Sequence, residues 1–189
     1  MQGNPQVIAD LQRAASMETA IQLQYHMDYP FLRQMELHGW QEHADKFGES
    51  SECITKKICR LLLGTFGSDP AYSASSPTPS HDPQALLNNW LAMESACHDA
   101  YRGFWSDAIE AADVDTSHAF KDFSEVHRKR LAWIQRKLDQ IDNYGAQQYL
   151  LQVTLLCHSL SHDEPNRAGL QYCARHTWRW RCRSRKPTA

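Results

Sequence analysis

The sequence predicts an all-α protein: a four-helix bundle with a long crossover loop and a short fifth helix. Three observations predict it. Apolar residues recur at helical steps of three and four, and no segment alternates with period two. Glycine is rare, eight in 189 residues, and most glycines stand at plausible element boundaries. One Ser- and Pro-rich stretch, "GSDPAYSASSPTPSHDP", separates two helical pairs and is long enough to cross a bundle from end to end.

The first helix is expected from about Pro5 to about Leu37. Asn4 is placed to cap it, Pro5 suits the first helical position, and Pro30 should kink it. The second is expected from about Trp40 to Leu63, ending near Gly64. The third follows the crossover, from Pro83 to Ala112 with Asp82 as cap, and the fourth runs from Ser117 to Asp142, before Gly145. "AQQYLLQVTLL" makes the short fifth helix. The bundle domain is therefore set at residues 1–157. Residues 158–189 show no sustained period and are expected to be a disordered, basic, Trp- and Arg-rich tail.

Composition narrows the function classes. No apolar run approaches the roughly 18–20 residues that span a membrane, and "MQGNPQVIADL" lacks the basic and apolar regions of a signal peptide. A cytoplasmic location is the expectation. The six cysteines form no CxxC pair, which favours free thiols over disulfides or a zinc site. The net charge of −2 hides a division. From Arg167 onward there are seven basic residues and no acid, so residues 1–166 carry a net of −9. The tail "RHTWRWRCRSRKP" could stack and clamp nucleic acid or lie at a membrane surface; the weightier expectation is no selected role.

The core seams carry the chemistry. In the first helix the 3–4 series is Val7, Leu11, Ala14, Glu18, Ile21, Tyr25. In the third it is Leu87, Trp90, Glu94, Cys97, Tyr101, Phe104, Ala108, and in the fourth Phe120, Ser124, His127, Leu131, Ile134, Leu138, Ile141. A carboxylate inside a bundle costs several kcal/mol unless it is paired or holds a metal. Glu18, Glu94 and His127 fall at matching depth on three seams, which is how inward-facing side chains of helical bundles make di-iron centres. Packing-satisfied polar residues would give the same pattern, and the seams alone do not choose between the two.

The opening "MQGNPQVIADLQRAASMETAIQLQY", with Glu18 and Gln24-Tyr25, resembles the first helix of a bacterioferritin. "LAMESACHDAY" resembles that family's third helix, with Glu94 at a ligand position, and "LAWIQRKLDQIDNYGAQQYL" the end of its fourth. The resemblance covers roughly residues 1–152. It implies a subunit of a hollow iron-storing shell, as a homo-oligomer or co-assembled with another ferritin subunit. It implies Fe(II) oxidation at a di-iron centre, with Tyr25 as a nearby hydrogen-bond or electron donor.

The sequence departs from that family on two helices. The family has Glu-x-x-His in the second and fourth; this chain has neither pair. "ESSECITKKICRLLL" offers Glu52 as the nearest acid, with Thr55 or Lys56 where His is expected, but Glu52 lies beside that helix's seam of Ser51, Ile54, Ile58 and Leu61 rather than on it. In "DFSEVHRKRLAW", aligned on Trp133, His127 replaces the glutamate and Arg130 the histidine, while Glu125 points elsewhere. The second helix has no methionine, so the family's haem ligand is missing and haem is not expected. The expected metal ligands are thus Glu18, Glu94, His127 and Glu52, for a weakened di-iron or a mononuclear iron site. A structural subunit with a dead centre, and a helical protein using its tail on nucleic acid, are the alternatives. His26, His38 and Glu42 loosely resemble the inter-subunit iron site of mini-ferritins, a minor reading; His43 is expected on a solvated face.

Overall fold

The computed structural model describes residues 3–161, with side chains as far as residue 155. Five helices follow in order: α1 Pro5–Gln34, α2 His38–Thr65, α3 Pro83–Glu110, α4 Val114–Tyr144 and α5 Ala146–Ser161. No strand occurs among the described residues. The predicted fold class holds.

The helix starts are set by side-chain caps. Asn4 accepts from Gln6 N at 2.9 Å, with Pro5 at the first helical position where its missing N–H costs nothing. Asp82 accepts from Ala85 N at 2.6 Å and opens α3. Asp113 accepts from Thr116 N at 3.0 Å and starts α4 at Val114, ahead of the expected Ser117. α1 continues through Pro30 to Gln34.

The helix ends explain where the sequence reading overran. α1 and α3 close with left-handed residues that are not glycine, Glu36 (φ 58°) and Ala112 (φ 56°). Backbone bonds Leu37 N→Leu32 O (3.0 Å) and Asp113 N→Ala108 O (2.9 Å) then satisfy the last carbonyls. With no glycine to mark these turns, the sequence gives no stop signal. α5 runs to Ser161, beyond the expected "AQQYLLQVTLL".

These short turns make two antiparallel hairpins, α1–α2 and α3–α4, which carry the most extensive packing; α1 also packs on α3, and α5 on α4. The crossover between α2 and α3 is tied to α1. The Gln24 side-chain amide donates to Thr78 O (2.9 Å) and accepts from Thr78 N (2.8 Å). Ser16 Oγ accepts from Ser73 N at 3.2 Å.

The core divides in two. One apolar cluster gathers Val7, Leu11, Ile58, Tyr101, Phe104 and Phe120 with their neighbours. The other gathers Tyr25, Leu32, Trp40, Leu87, Trp90 and Ile134 with theirs. Each holds one of the two tyrosines that donate to Glu18 and Glu94, so the charged side chains lie where the clusters meet.

Candidate metal centre

Glu18 on α1, Glu94 on α3 and His127 on α4 are all fully buried and meet. His127 spans the two carboxylates: Nδ1 lies 2.5 Å from Glu94 Oε2 and Nε2 lies 2.7 Å from Glu18 Oε1. Each ring nitrogen faces only an acceptor, so both donate when the ring is an imidazolium. Tyr25 donates its hydroxyl proton to Glu94 Oε1 at 2.6 Å, and Tyr101 donates to Glu18 Oε1 at 2.8 Å. Tyr101 also stacks on the His127 ring, centroids 5.3 Å apart.

Arg130 is the fourth charged member. It is one turn beyond His127 on α4 and is buried. Its Nη1 donates to Glu94 Oε1 at 3.1 Å and to Ser51 Oγ of α2 at 2.9 Å, and its guanidinium lies 5.5 Å from the Phe47 ring centroid. Two carboxylates therefore meet two side-chain cations.

The protonation states follow from this. Burial works to raise both glutamates, but His127 and Arg130 outweigh it. Glu18 is held below the usual carboxylate range, and Glu94 falls to about 2. Burial opposes the imidazolium, yet Glu18 and Glu94 raise His127 to about 9. At neutral pH the ring is charged and donates at both nitrogens. Burial and the adjacent carboxylates push the hydroxyls of Tyr25 (facing Glu94) and Tyr101 (facing Glu18) up, and likewise the Cys97 thiol.

Glu52, the fourth expected ligand, is elsewhere. Its side chain is 44% exposed and pairs with Lys56 on the outer face of α2. Ser51, on the predicted seam of α2, takes the inward position instead, and Ile54, three residues on, is buried as well. The mini-ferritin candidates are engaged separately: His38 with Gln41 (3.4 Å) and Glu42 with Lys46 (3.5 Å). His43 is not on a solvated face. It packs on Trp133, centroids 4.3 Å apart, and burial with nearby Lys46 and Lys137 lowers it to about 4.

Arg130 as a core residue was within reach of the sequence. The buried series of α4 is Phe120, Phe123, His127, Arg130, Ile134, a clean 3–4–3–4 run. The expected seam steps four residues from His127 to Leu131 and so passes over Arg130. Ser51 and Tyr101 stood on predicted seams, but their types gave no reason to single them out.

The donor set does not fit a metal ion. A histidine ligand needs a ring-nitrogen lone pair, and both nitrogens of His127 are turned to carboxylates as donors. Glu94 accepts on both oxygens and Glu18 on Oε1, which leaves only Glu18 Oε2 without a hydrogen bond of good geometry. The Arg130 charge repels any cation brought there. Cys53, Cys59 and Cys97 form no disulfide, and no group of three or more His, Cys, Asp or Glu among the described residues is arranged to hold a metal. The basic tail lies outside the described residues.

No protein-family model matches the chain, and no curated protein matches its sequence. Solved structures do. A Mycobacterium tuberculosis bacterioferritin superposes with a TM-score of 0.76 at 16% identity, covering 81% of this chain and 96% of that one. The Desulfovibrio desulfuricans bacterioferritin, described with a di-iron site, gives 0.73 at 19%, covering 80% and 91%. The Rhodobacter capsulatus bacterioferritin, described with a metal-free dinuclear site and haem iron, gives 0.75 at 18%, covering 80% and 95%. The chain has the ferritin-like fold of the bacterioferritins.

Proposed function

We propose that this chain is a building block of a ferritin-like shell, serving iron storage through assembly rather than through rapid oxidation at its own centre. The observation that carries the reading is the extent of the fold: nearly the whole length of each bacterioferritin is matched. Iron is then the cargo, and the expected location is the cytoplasm. Exposed apolar side chains support assembly. Leu23 (41% exposed) and Met27 (50%) lie one turn apart on α1, and Tyr72 (44%) stands in the crossover. Leu151 and Leu155 are exposed one turn apart on α5. No helix among the described residues is long and apolar enough to cross a membrane, so these side chains await protein rather than a bilayer span.

Glu18, Glu94 and His127 hold the bundle together in this reading, and Tyr25 orients Glu94 instead of donating an electron. Fe(II) oxidation would fall to a competent co-assembled subunit. Native mass spectrometry tests assembly: an oligomer is expected, alone or mixed with an active bacterioferritin, shifting to smaller species with Leu23→Glu/Met27→Glu. A monomer under both conditions overturns the proposal. So does rapid Fe(II) oxidation by the pure protein that Glu18→Ala abolishes.

A further inference from the structure

We infer that the centre of this bundle is a self-neutralised substitute for a metal site: His127 and Arg130 supply as side chains the positive charge that metal ions supply in di-iron bundles. This stands on the centre alone and holds whether or not the chain assembles.

The argument starts from charge. The di-iron pattern places a Glu on each of two helices and Glu-x-x-His on each of the other two. Four carboxylates then cancel two divalent ions. Here α1 and α3 keep Glu18 and Glu94, while the inward i, i+3 pairs of the other helices are Ser51/Ile54 on α2 and His127/Arg130 on α4. Two carboxylates remain, and an imidazolium and a guanidinium cancel them. Both versions are neutral.

Intermediate versions are not. Losing ligands alone would leave Glu18 and Glu94 as uncompensated buried anions, a cost of several kcal/mol. Gaining Arg130 alone would set a cation beside the metals. The changes on α2 and α4 fit each other: Ser51 has the length and the acceptor to receive Arg130 Nη1 at 2.9 Å, where a longer side chain would compete for the space.

Geometry completes the case. A bridging metal needs to touch carboxylates from two helices at once, and His127 does so, from Glu94 Oε2 to Glu18 Oε1. Through this ring and Arg130 the four helices are joined by hydrogen bonds: α1 through Glu18, α2 through Ser51, α3 through Glu94, all meeting α4. The centre does the cross-linking of a metal with no metal bound, and it is closed to divalent cations.

The charge logic makes one substitution decisive. Arg130→His removes the guanidinium and, with both histidines neutral, leaves a site of two carboxylates and two imidazoles whose charge one divalent ion balances. Co(II) is the probe, titrated into the full chain with visible absorption and melting temperature as readouts. The wild type is expected to show no saturable Co(II) spectrum that depends on Glu94. Nitrogen NMR should show both His127 ring nitrogens protonated and unmoved by Zn(II). Arg130→His is expected to take up one Co(II) per chain, with affinity raised at least about 100-fold and a melting temperature raised by the metal. A wild-type Co(II) spectrum abolished by Glu94→Gln overturns the inference. So does an Arg130→His chain that is folded by circular dichroism and gains no site. If Arg130→His does not fold, the wild-type titration and the His127 resonances decide.

Discussion

Helix α1 buries three carboxyl groups along its length, and they behave in two ways. Asp10 lies near the start, Glu18 in the middle and Asp28 near the end. Burial pushes Asp10 up to about 6, helped by neighbouring Asp107, and it pushes Asp28 up despite hydrogen bonds from Gln24 (2.9 Å) and Trp90 (2.7 Å). Glu18 is the most deeply buried, yet it is held down by His127 and Arg130. The degree of burial therefore does not set the direction. Neutral donors soften the cost of an ion; only opposite charges reverse it. Asp28 is part of a polar strut holding the crossover, whereas Glu18 is part of a centre built around full charges.

The largest effect should come from breaking the charged region. Arg130→Met leaves two buried carboxylates sharing one imidazolium and should lower the unfolding free energy by about 3–5 kcal/mol. Asp28→Asn keeps acceptor oxygen for Gln24 and Trp90 and should cost no more than about 1–2 kcal/mol. Urea unfolding of both variants makes the test. Equal losses would mean that the centre is held by hydrogen bonds alone and that its charges are incidental.

A pH series sharpens the same contrast. His127 has a folded-state pKa near 9, above its unfolded value of about 6.5. Its contribution is fully present below about pH 6.5 and is lost as pH rises through about 9. Glu94, lowered to about 2, contributes above about pH 4.5 and loses that contribution as pH falls toward 2. The centre should thus be strongest between about pH 4.5 and 6.5. The stability gap between the wild type and His127→Gln should narrow by a few kcal/mol between about pH 6 and pH 10. A constant gap would show that the ring is neutral in the folded protein.

The same distinction explains what was legible in the sequence. Fold class, helix count, the Asn4 and Asp82 caps and the inward positions of Glu18, Glu94 and His127 all follow from local spacing, which the chain writes directly. The left-handed turns at Glu36 and Ala112 were not legible, since their residue types are ordinary, whereas the Asp113 cap that starts α4 at Val114 is of the same legible kind as Asp82. Glu52 was misplaced for a different reason. Glu52 is the acid nearest the expected ligand position, but helical register puts Ser51 inward and turns Glu52 out to Lys56. Arg130 lies off the expected seam, which steps from His127 to Leu131, although the family alignment already sets it where an inward histidine is expected. A buried cation is legible only when its counter-ions are counted with it, and those sit on other helices.

The smallest predicted effect runs in the stabilising direction, at Asp10. Its Oδ1 accepts from Gln6 at 3.0 Å, while Oδ2 is buried without a donor, beside Asp107. Below about pH 4 the carboxyl is protonated in both folded and unfolded chains, and no penalty arises. As pH rises from about 4 to 6 the unfolded chain ionises freely while the folded one resists, so Asp10 lowers stability over that window and above it. Asn keeps the oxygen for Gln6 and gives an N–H to Asp107. Asp10→Asn should therefore gain about 1–2 kcal/mol at neutral pH and flatten the fall between about pH 4 and 6. The analogous change at the centre, Glu18→Gln, should destabilise at the same pH, because it strips a counter-ion from His127 and Arg130. Opposite signs for two carboxyl-to-amide changes on one helix are what the comparison requires; a loss at both positions would mean that Arg13, whose charge favours the Asp10 carboxylate, outweighs burial and Asp107.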